Sequence, residues 1–432
     1  MKTLIKSRTR SSSKTKNSLF LFLNPQTNVQ ATRVRSLCYL MLVLVIVNTF
    51  PMIYILMSDP SQWLNTRPRR VSPFKIHITT QPKATEATTT SIPRLVPKPE
   101  GEKLILFLDF PNYYQVDERA GRFGLSQCND KNPFPQPIKC ELTTDYNRFN
   151  QSDAVVFYSH GKNNMEDFKF TPKKHLGQTW TFFAAESPEY SSNLVFSSSE
   201  FHNKFNSSMT YRTDSEFWHG YVRPERKKTP MDAQQKKQQE TELRWAFRNK
   251  TRMAAIFVSH CSTSSNRGKY IRQLKKFMDV DVFGRCGHLK CVDRARCDEL
   301  LAREYKFYLA FENSLCVDYV TEKLLRAMNT MRVVPVVRGG ADYSRLFPVN
   351  SVIDAGQFFS AYELAHHLNS LAEDEDEWVR MFQWTWNWKM VGSQLPLCQY
   401  CYHLYKRNRP GHVHANIHDW WTSGACNKPI DL

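Results

Sequence analysis

The sequence predicts an α/β protein with two domains built on parallel sheets, preceded by a single transmembrane helix and a stem. Three features support this prediction. Between residues 252 and 386, apolar strand-like runs alternate with amphipathic helical patterns, which is typical of strand–helix–strand units. Upstream, Leu37–Met57 is an uncharged run of 21 residues. Residues 58–100 contain seven prolines and little apolar periodicity, so they cannot bury a core.

The apolar run Leu37–Met57 indicates a membrane anchor. As a helix it would be about 31 Å long, close to the thickness of the bilayer's hydrocarbon core. A cleaved signal peptide would have a shorter apolar run nearer the N-terminus and a small-residue cleavage site, which "SDPSQW" does not offer. We therefore predict an uncleaved signal anchor at 37–57, a cytoplasmic tail at 1–36 and a Pro/Thr-rich stem at 58–100.

The net charge of +18 does not indicate a nucleic-acid interface. Residues 1–36 carry eight Lys/Arg and no acid, and residues 58–100 carry seven basic and three acidic residues. These segments hold +12 of the charge, which leaves +6 for residues 101–432. A nucleic-acid partner would require the positive charge on the folded part, so we expect none.

The part downstream of the anchor has the features of a lumenal protein. It contains ten of the eleven cysteines and sequons at Asn150, Asn206 and Asn249. This layout is typical of resident Golgi glycan-processing enzymes, although a receptor ectodomain can share it. The pair Cys398 and Cys401 in "CQYC" could form a redox or zinc motif, but without a second ligand pair a small disulfide ring is favoured.

We predict two domains downstream of the stem, the first at 101–245 and the second at 246–432. The polar segment 217–250 is predicted to be an exposed connection that contains the boundary between them. The predicted strands cover 102–110, 153–161, 178–188, 252–261, 280–287, 305–314 and 332–340. The predicted helices cover 266–278, 295–304, 319–331, 360–372 and 374–386. In such sheets, ligands bind beyond the carboxyl ends of the strands.

The stretch "FENSLCVDYVTEK" places a polar cluster at such a strand end. Glu312, Asn313 and Ser314 follow the apolar run "YKFYLAF", and the segment from Tyr319 to Lys323 is predicted to open a helix. Free backbone N–H groups and the helix dipole favour an anion there. A lysine in the first turn is unfavourable unless a bound anion compensates it. The local pattern thus favours a phosphate site over an ordinary polar corner.

The motif "FENSLCVDYVTEKLLRAM", followed by "VVPVV", resembles the signature of the α1,3-fucosyltransferase family, whose members use GDP-fucose. The similarity runs from about residue 104 to 401 and includes "VSHC…NRGKYIRQL…VDVFGRCG", "AAESP" and "FNSSMTYRTDSEF". The segment "DVFGRCGHLKC" resembles the invertebrate and plant branch that modifies the N-glycan core. The resemblance implies two Rossmann-like domains facing a cleft (GT-B type), with the acceptor side on the first domain and the donor side on the second.

The resemblance also implies roles for particular residues. Glu186, at the end of the apolar run "TWTFFAA", would be the general base. The donor contacts would be Arg267 and Lys323 to the GDP phosphates, and Asn313, Tyr319 and Glu322 to fucose and ribose. No cofactor would be obligatory, and a stimulating divalent cation is left open. The acidic "DVD" at 279–281 and "EDEDE" at 373–377 are not favoured as metal sites.

The function expected from these features is inverting transfer of L-fucose from GDP-β-L-fucose to GlcNAc of a glycoprotein glycan, by a single-pass type II Golgi membrane protein. The N-glycan core is the favoured acceptor. A Lewis-type enzyme acting on LacNAc or LacdiNAc antennae, a transferase for another nucleotide sugar, and an inactive glycan-binding homologue are the alternatives.

Overall fold

The computed structural model describes residues 101–110, 121–124 (backbone), 138–160, 172–191, 194–291, 293–330, 332–392, 394–406 and 412–432. The predicted tail, anchor and stem lie outside these residues. Within the described ranges, no helix is long and apolar enough to cross a bilayer.

The described elements are numbered in chain order. The strands are β1 (Lys103–Leu108), β2 (Gly121–Gly124), β3 (Lys139–Thr143), β4 (Ala154–Tyr158), β5 (Thr179–Ala184), β6 (Ser207–Thr210), β7 (Phe217–Trp218), β8 (Val222–Arg226), β9 (Arg252–Phe257), β10 (Val280–Phe283), β11 (Tyr305–Phe311), β12 (Leu315–Cys316), β13 (Val334–Arg338), β14 (Ile353–Asp354), β15 (Trp388–Gly392) and β16 (Cys426–Asn427). The α-helices are α1 (Pro188–Ser191), α2 (Ala233–Asn249), α3 (Arg267–Leu274), α4 (Arg294–Glu304), α5 (Glu322–Thr330), α6 (Tyr343–Leu346), α7 (Ala361–Glu373), α8 (Glu375–Arg380), α9 (Leu397–Lys406) and α10 (Ile417–Thr422).

Two sheets organise these elements. The first has the order β2-β3-β1-β4-β5-β6-β7, in which β2 is antiparallel to β3 and the other neighbours are parallel. The second has the order β10-β9-β11-β13-β14 and is parallel throughout. In both sheets the strand order reverses beside the first long strand, between β1 and β4 and between β9 and β11. This is the doubly wound arrangement, so the predicted α/β class is confirmed.

The strands read as continuous apolar runs because both faces of each sheet are covered. In β11, Phe307, Leu309 and Phe311 face one buried cluster, while Tyr308 and Ala310 face another. Parallel sheets covered on both faces have strands of this composition. The predicted strands at β1, β4, β5, β9, β10, β11 and β13 all form within the ranges that the sequence indicated.

The predicted domain boundary at 245/246 falls inside a helix, and the division into two domains stays a prediction. Helix α2 spans that point, and its Leu243 and Phe247 belong to the core of the second sheet. Helix α9, predicted to lie in the second domain, instead packs Tyr400 and Leu404 into the core of the first sheet. The described residues from 101 to 432 belong to one compact unit.

The predicted Cys398–Cys401 disulfide is wrong. Cys401 is fully buried and is bonded to Cys140 on β3, while Cys398 is disulfide-bonded to a residue other than Cys401. The two cysteines lie three residues apart on α9, where helical geometry holds the Cβ atoms roughly 5–6 Å apart. A disulfide requires Cβ atoms about 3.8 Å apart. The helical spacing therefore disfavours a bond between the two cysteines, and Cys401 bonds instead to Cys140 in the neighbouring sheet.

The three sequons differ in exposure. Asn150 and Asn249 are exposed. Asn206 is 8% exposed, and its Oδ1 accepts hydrogen bonds from the backbone N–H of Trp180 at 3.1 Å and from the Lys174 ammonium. A glycan on Asn206 would have to displace this packing, whereas the other two positions have space for one. Glycosylation at the three sites stays a prediction.

Candidate active site

The carboxyl ends of the two sheets meet at the segments that the sequence singled out. Glu186 follows β5 of the first sheet, and Tyr319 follows β11 of the second. The Tyr319 hydroxyl donates a hydrogen bond to Glu186 Oε2 at 2.9 Å. Beside this contact, the Ser314 hydroxyl donates to the Ser187 hydroxyl at 2.7 Å. The predicted base and the predicted donor motif, 133 residues apart in sequence, are therefore in direct contact.

Glu312 organises the turn after β11. Its carboxylate is 1% exposed and accepts the backbone N–H of Thr321 at 2.9 Å and the Thr321 hydroxyl. The helix therefore begins at Glu322 rather than at Tyr319 as predicted, since residues 319–321 approach this carboxylate as a loop. Burial raises the pKa of Glu312, while the positive charge of Lys323 opposes the rise.

Lys323 lies where the phosphate-site prediction requires a cation. Its ammonium contacts Thr321 Oγ1 at 2.7 Å, Glu312 Oε2 at 3.1 Å and Glu322 Oε1 at 3.3 Å. Burial alone would lower the pKa of Lys323, but the neighbouring Glu312 and Glu322 carboxylates outweigh burial and raise it. The side chain thus stays charged at neutral pH, and of its three partners only Glu322 is exposed.

Arg267 is a buried residue, 4% exposed, in the first turn of α3. Its Nη1 donates to the Phe311 carbonyl at 3.1 Å, and its Nη2 donates to the His260 carbonyl at 3.2 Å. The guanidinium therefore joins the carboxyl ends of β9 and β11, on either side of the point where the strand order reverses. Its Nε has no hydrogen-bond partner among the described residues, which leaves a buried donor at this edge of the sheet.

The remaining predicted donor residues line the same turn. Tyr319 is 1% exposed, and its ring lies 4.8 Å from that of Tyr211. Burial, followed by the negative charge of Glu186, raises the pKa of Tyr319 well above its usual value, so the hydroxyl remains a hydrogen-bond donor. Asn313 is half-buried; its carbonyl accepts the Ser265 N–H at 3.0 Å. Glu322 is exposed in the first turn of α5.

The sequence did not identify the residues outside the 311–323 motif that hold this turn in place. Asp318 has a positive φ of 58° and is buried. Its carboxylate accepts the Thr213 N–H at 3.0 Å and the Arg345 guanidinium at 2.7 Å. Cys316 forms a disulfide with Cys426. The aspartate stands inside the conspicuous motif, but its partners lie 105 and 27 residues away, so no local signal identified them.

A small cavity opens beside the turn. Its volume is about 240 Å³, and it lies between the segment from β6 to β8 and the turn after β11. Its lining is mostly apolar, and its polar groups are Thr213, Arg223 and Asp318. The space is therefore continuous with the network that holds Asp318.

One histidine at this edge of the first sheet gives the fold a pH dependence. Burial lowers the pKa of His219 to about 4, and its ring lies 5.3 Å from that of Phe183. The unfolded value is about 6.5. The unfolded chain binds the proton more readily than the folded one. The contribution of neutral His219 to the unfolding free energy is therefore fully present above pH 6.5 and is lost as the pH falls toward 4.

We expect His219→Asn, which cannot take up a proton in this range, to reduce this loss. Between pH 7 and pH 5 the parent should lose about 1–2 kcal/mol more unfolding free energy than the variant. Urea titrations at both pH values measure the difference. An identical decline in both proteins would contradict the assignment of this titration to His219.

Comparison with known proteins identifies the family of this chain. The profile "Glycosyltransferase family 10 (fucosyltransferase) C-term" matches residues 247–420, and "Fucosyltransferase, N-terminal" matches residues 100–222. The chain is 37% identical over 290 residues to alpha-(1,3)-fucosyltransferase C of Drosophila melanogaster, covering 62% of this chain and 65% of that protein. It is 30% identical over 362 residues to glycoprotein 3-alpha-L-fucosyltransferase A of the same organism, covering 77% and 68%.

A crystal structure of an alpha1,3-fucosyltransferase with GDP-fucose aligns with 75% of this chain and 96% of that chain, at a TM-score of 0.44 and 14% identity. The chain belongs to glycosyltransferase family 10, the fucosyltransferases. The predicted family is thereby confirmed, and with it the class of enzyme: a glycosyltransferase.

Proposed function

We propose that this protein is a type II Golgi membrane α1,3-fucosyltransferase. It transfers L-fucose from GDP-β-L-fucose to GlcNAc of a glycoprotein glycan, with the N-glycan core as the favoured acceptor. The observation that carries the proposal is the hydrogen bond between Glu186 and Tyr319, because it joins a carboxylate of one sheet to the donor motif of the other. The sequence similarity to a glycoprotein 3-alpha-L-fucosyltransferase supports the acceptor class.

In the proposed reaction, Glu186 accepts the proton of the 3-hydroxyl of GlcNAc. The hydroxyl oxygen forms a bond to C1 of fucose as the bond from C1 to the phosphate oxygen breaks, and GDP leaves with the electron pair. A positioned carboxylate is needed because a sugar hydroxyl is a poor nucleophile at neutral pH. One displacement converts the β-linked donor to an α-linked product, so no covalent intermediate is required.

The leaving group needs positive charge, which the second sheet supplies. GDP departs with about two negative charges that must be stabilised in a site shielded from water. Lys323, the backbone N–H groups at the start of α5, and the guanidinium of Arg267 are the candidates. Lys323 already uses three contacts, so a phosphate oxygen would replace the exposed Glu322 and leave the buried Glu312 in place.

The proposal is tested with the full chain produced in a secretory host. Radiolabelled GDP-fucose and other nucleotide sugars are offered with N-glycopeptides and with LacNAc or LacdiNAc acceptors. We expect transfer from GDP-fucose to the N-glycan core. Transfer only from another nucleotide sugar would contradict the donor assignment, and transfer only to antennae would identify the Lewis-type alternative. Donor binding without transfer would identify an inactive homologue.

Metal chelation separates two ways of stabilising the leaving group. We expect EDTA to leave at least about half of the fucosyl transfer rate, because Lys323 and Arg267 supply the positive charge without a metal. Initial rates with EDTA, and with EDTA followed by Mg²⁺ or Mn²⁺, measure this. Complete loss of the rate, restored only by a divalent ion, would contradict a metal-independent reaction.

A further inference from the structure

A cluster of metal-binding side chains lies at the edge of the first sheet. It consists of Glu216, which precedes β7, and of His412 and His414 in the segment before α10. One ligand atom from each of the three residues lies within 4.8 Å of the corresponding atoms of the other two. His414 Nε2 lies 3.3 Å from Glu216 Oε1. Two ligands of a tetrahedral zinc ion are roughly 3.4 Å apart when each bond is about 2.1 Å.

His414 is the observation that points to a ligand. Its side chain is 6% exposed, yet its Nε2 has no hydrogen-bond partner among the described residues. That nitrogen is directed at Glu216 Oε1 without the geometry of a hydrogen bond. A buried nitrogen that meets a carboxylate at 3.3 Å but makes no hydrogen bond is incompletely satisfied, and this costs free energy. A metal ion bound to the nitrogen would remove that cost.

The surroundings hold two of the three groups in place. Glu216 Oε2 accepts hydrogen bonds from the N–H and the hydroxyl of Ser208, both at 2.7 Å, which leaves Oε1 available on the other side. The backbone N–H of His414 donates to the Phe205 carbonyl at 2.9 Å. Partners of this kind orient the ligands of protein metal sites. His412 is exposed, and its ring lies 4.8 Å from the ring of His414.

We propose that Glu216, His412 and His414 form a zinc site that fastens the C-terminal strap, residues 412–432, to the first sheet. Two histidines and one carboxylate are a common zinc ligand set, with water as the fourth ligand. Ser208 lies near the amino end of β6, whereas Glu186 lies beyond the carboxyl end of the parallel β5. Four residues of strand separate these levels, about 13 Å, so the ion takes no part in fucosyl transfer.

The strap also reaches the donor motif. Cys426 is bonded to Cys316, and Asp431 makes a two-pronged ion pair with Arg338 at 2.6 and 2.7 Å. The zinc ion would fix the strap near 412–414, and these two contacts fix it near 426–431. The expected effect of the metal is therefore on stability rather than on turnover.

The experiment uses the full chain, purified in detergent without a polyhistidine tag and stripped with EDTA. Calorimetric titration with Zn²⁺ should show one saturable equivalent and a rise of several degrees in Tm. His412→Ala, at an exposed position, and Glu216→Gln should each weaken binding at least about tenfold. His418→Ala, in the same "HVHANIH" stretch but outside the cluster, should bind zinc like the parent.

Co²⁺ in place of Zn²⁺ should give visible absorption bands of a four-coordinate site in the parent and in His418→Ala. These bands should be absent from His412→Ala. The proposal is overturned if the parent takes up no stoichiometric zinc. It is equally overturned if the zinc affinity of His412→Ala and Glu216→Gln matches that of the parent, because the ion would then lie elsewhere.

Discussion

Glu186→Gln is expected to lower kcat about 10²–10⁴-fold, the usual effect of losing a general base. The glutamine keeps an oxygen that can accept the Tyr319 hydrogen bond, so the contact between the two sheets should survive. What the variant loses is the capacity to take the proton of the acceptor hydroxyl. GDP affinity, measured by calorimetry, should remain within about twofold of the parent, because the carboxylate is not a phosphate contact in the proposed mechanism.

Glu189→Gln is the matched control for this experiment. Glu189 is an exposed carboxylate three residues further along the chain, in α1, and its loss should leave kcat within about twofold of the parent. If Glu186→Gln retained near-full turnover, or if it abolished GDP binding, Glu186 would not be the base. Steady-state kinetics on the three proteins decide between these outcomes.

Lys323→Ala is expected to weaken both GDP binding and the fold. Loss of a charged contact to phosphate should reduce GDP affinity by about 1.5–3 kcal/mol. The variant also leaves the buried Glu312 carboxylate without its cation, since the two groups lie 3.1 Å apart. Removing one member of a buried ion pair typically costs about 3–5 kcal/mol of unfolding free energy.

A double variant separates the two effects of Lys323. Lys323→Ala combined with Glu312→Gln removes both charges, so most of the unfolding free energy should return, while GDP affinity should stay low. Lys276→Ala, at an exposed position beyond α3, should change neither quantity. If the single variant Lys323→Ala bound GDP like the parent, the turn after β11 would not be the phosphate site.

The sequence indicated the elements around the site because their signals are local. The run "YKFYLAF" is apolar on both faces, so a buried parallel strand was predictable, and the polar cluster after it was placed at the ligand edge. The start of α5 was not predictable. Tyr319 and Val320 fit the helical spacing, but the carboxylate of Glu312, just after the preceding strand, accepts the Thr321 N–H and delays the helix.

The contacts that complete the site lie far apart in sequence. Tyr319 and Glu186 are separated by 133 residues, and Cys316 and Cys426 by 110. Residue spacing carries no information on which side chains meet over such distances. The cysteine pairing failed for the same reason: Cys401 had a near neighbour in sequence, whereas its partner in space was on β3.

The contacts of the C-terminal strap have a consequence for how the protein is made. The Val317 N–H donates to the Ala425 carbonyl, and β12 pairs with β16. Arg338 forms an ion pair with Asp431. Each of these partners is synthesised about 90–110 residues after the segment it holds. The turn after β11 therefore cannot reach its final form on the ribosome until residues 425–431 have emerged. Completion of this turn, which we propose binds the donor, is a late event in biosynthesis, and its Cys316–Cys426 disulfide requires oxidising conditions at that moment.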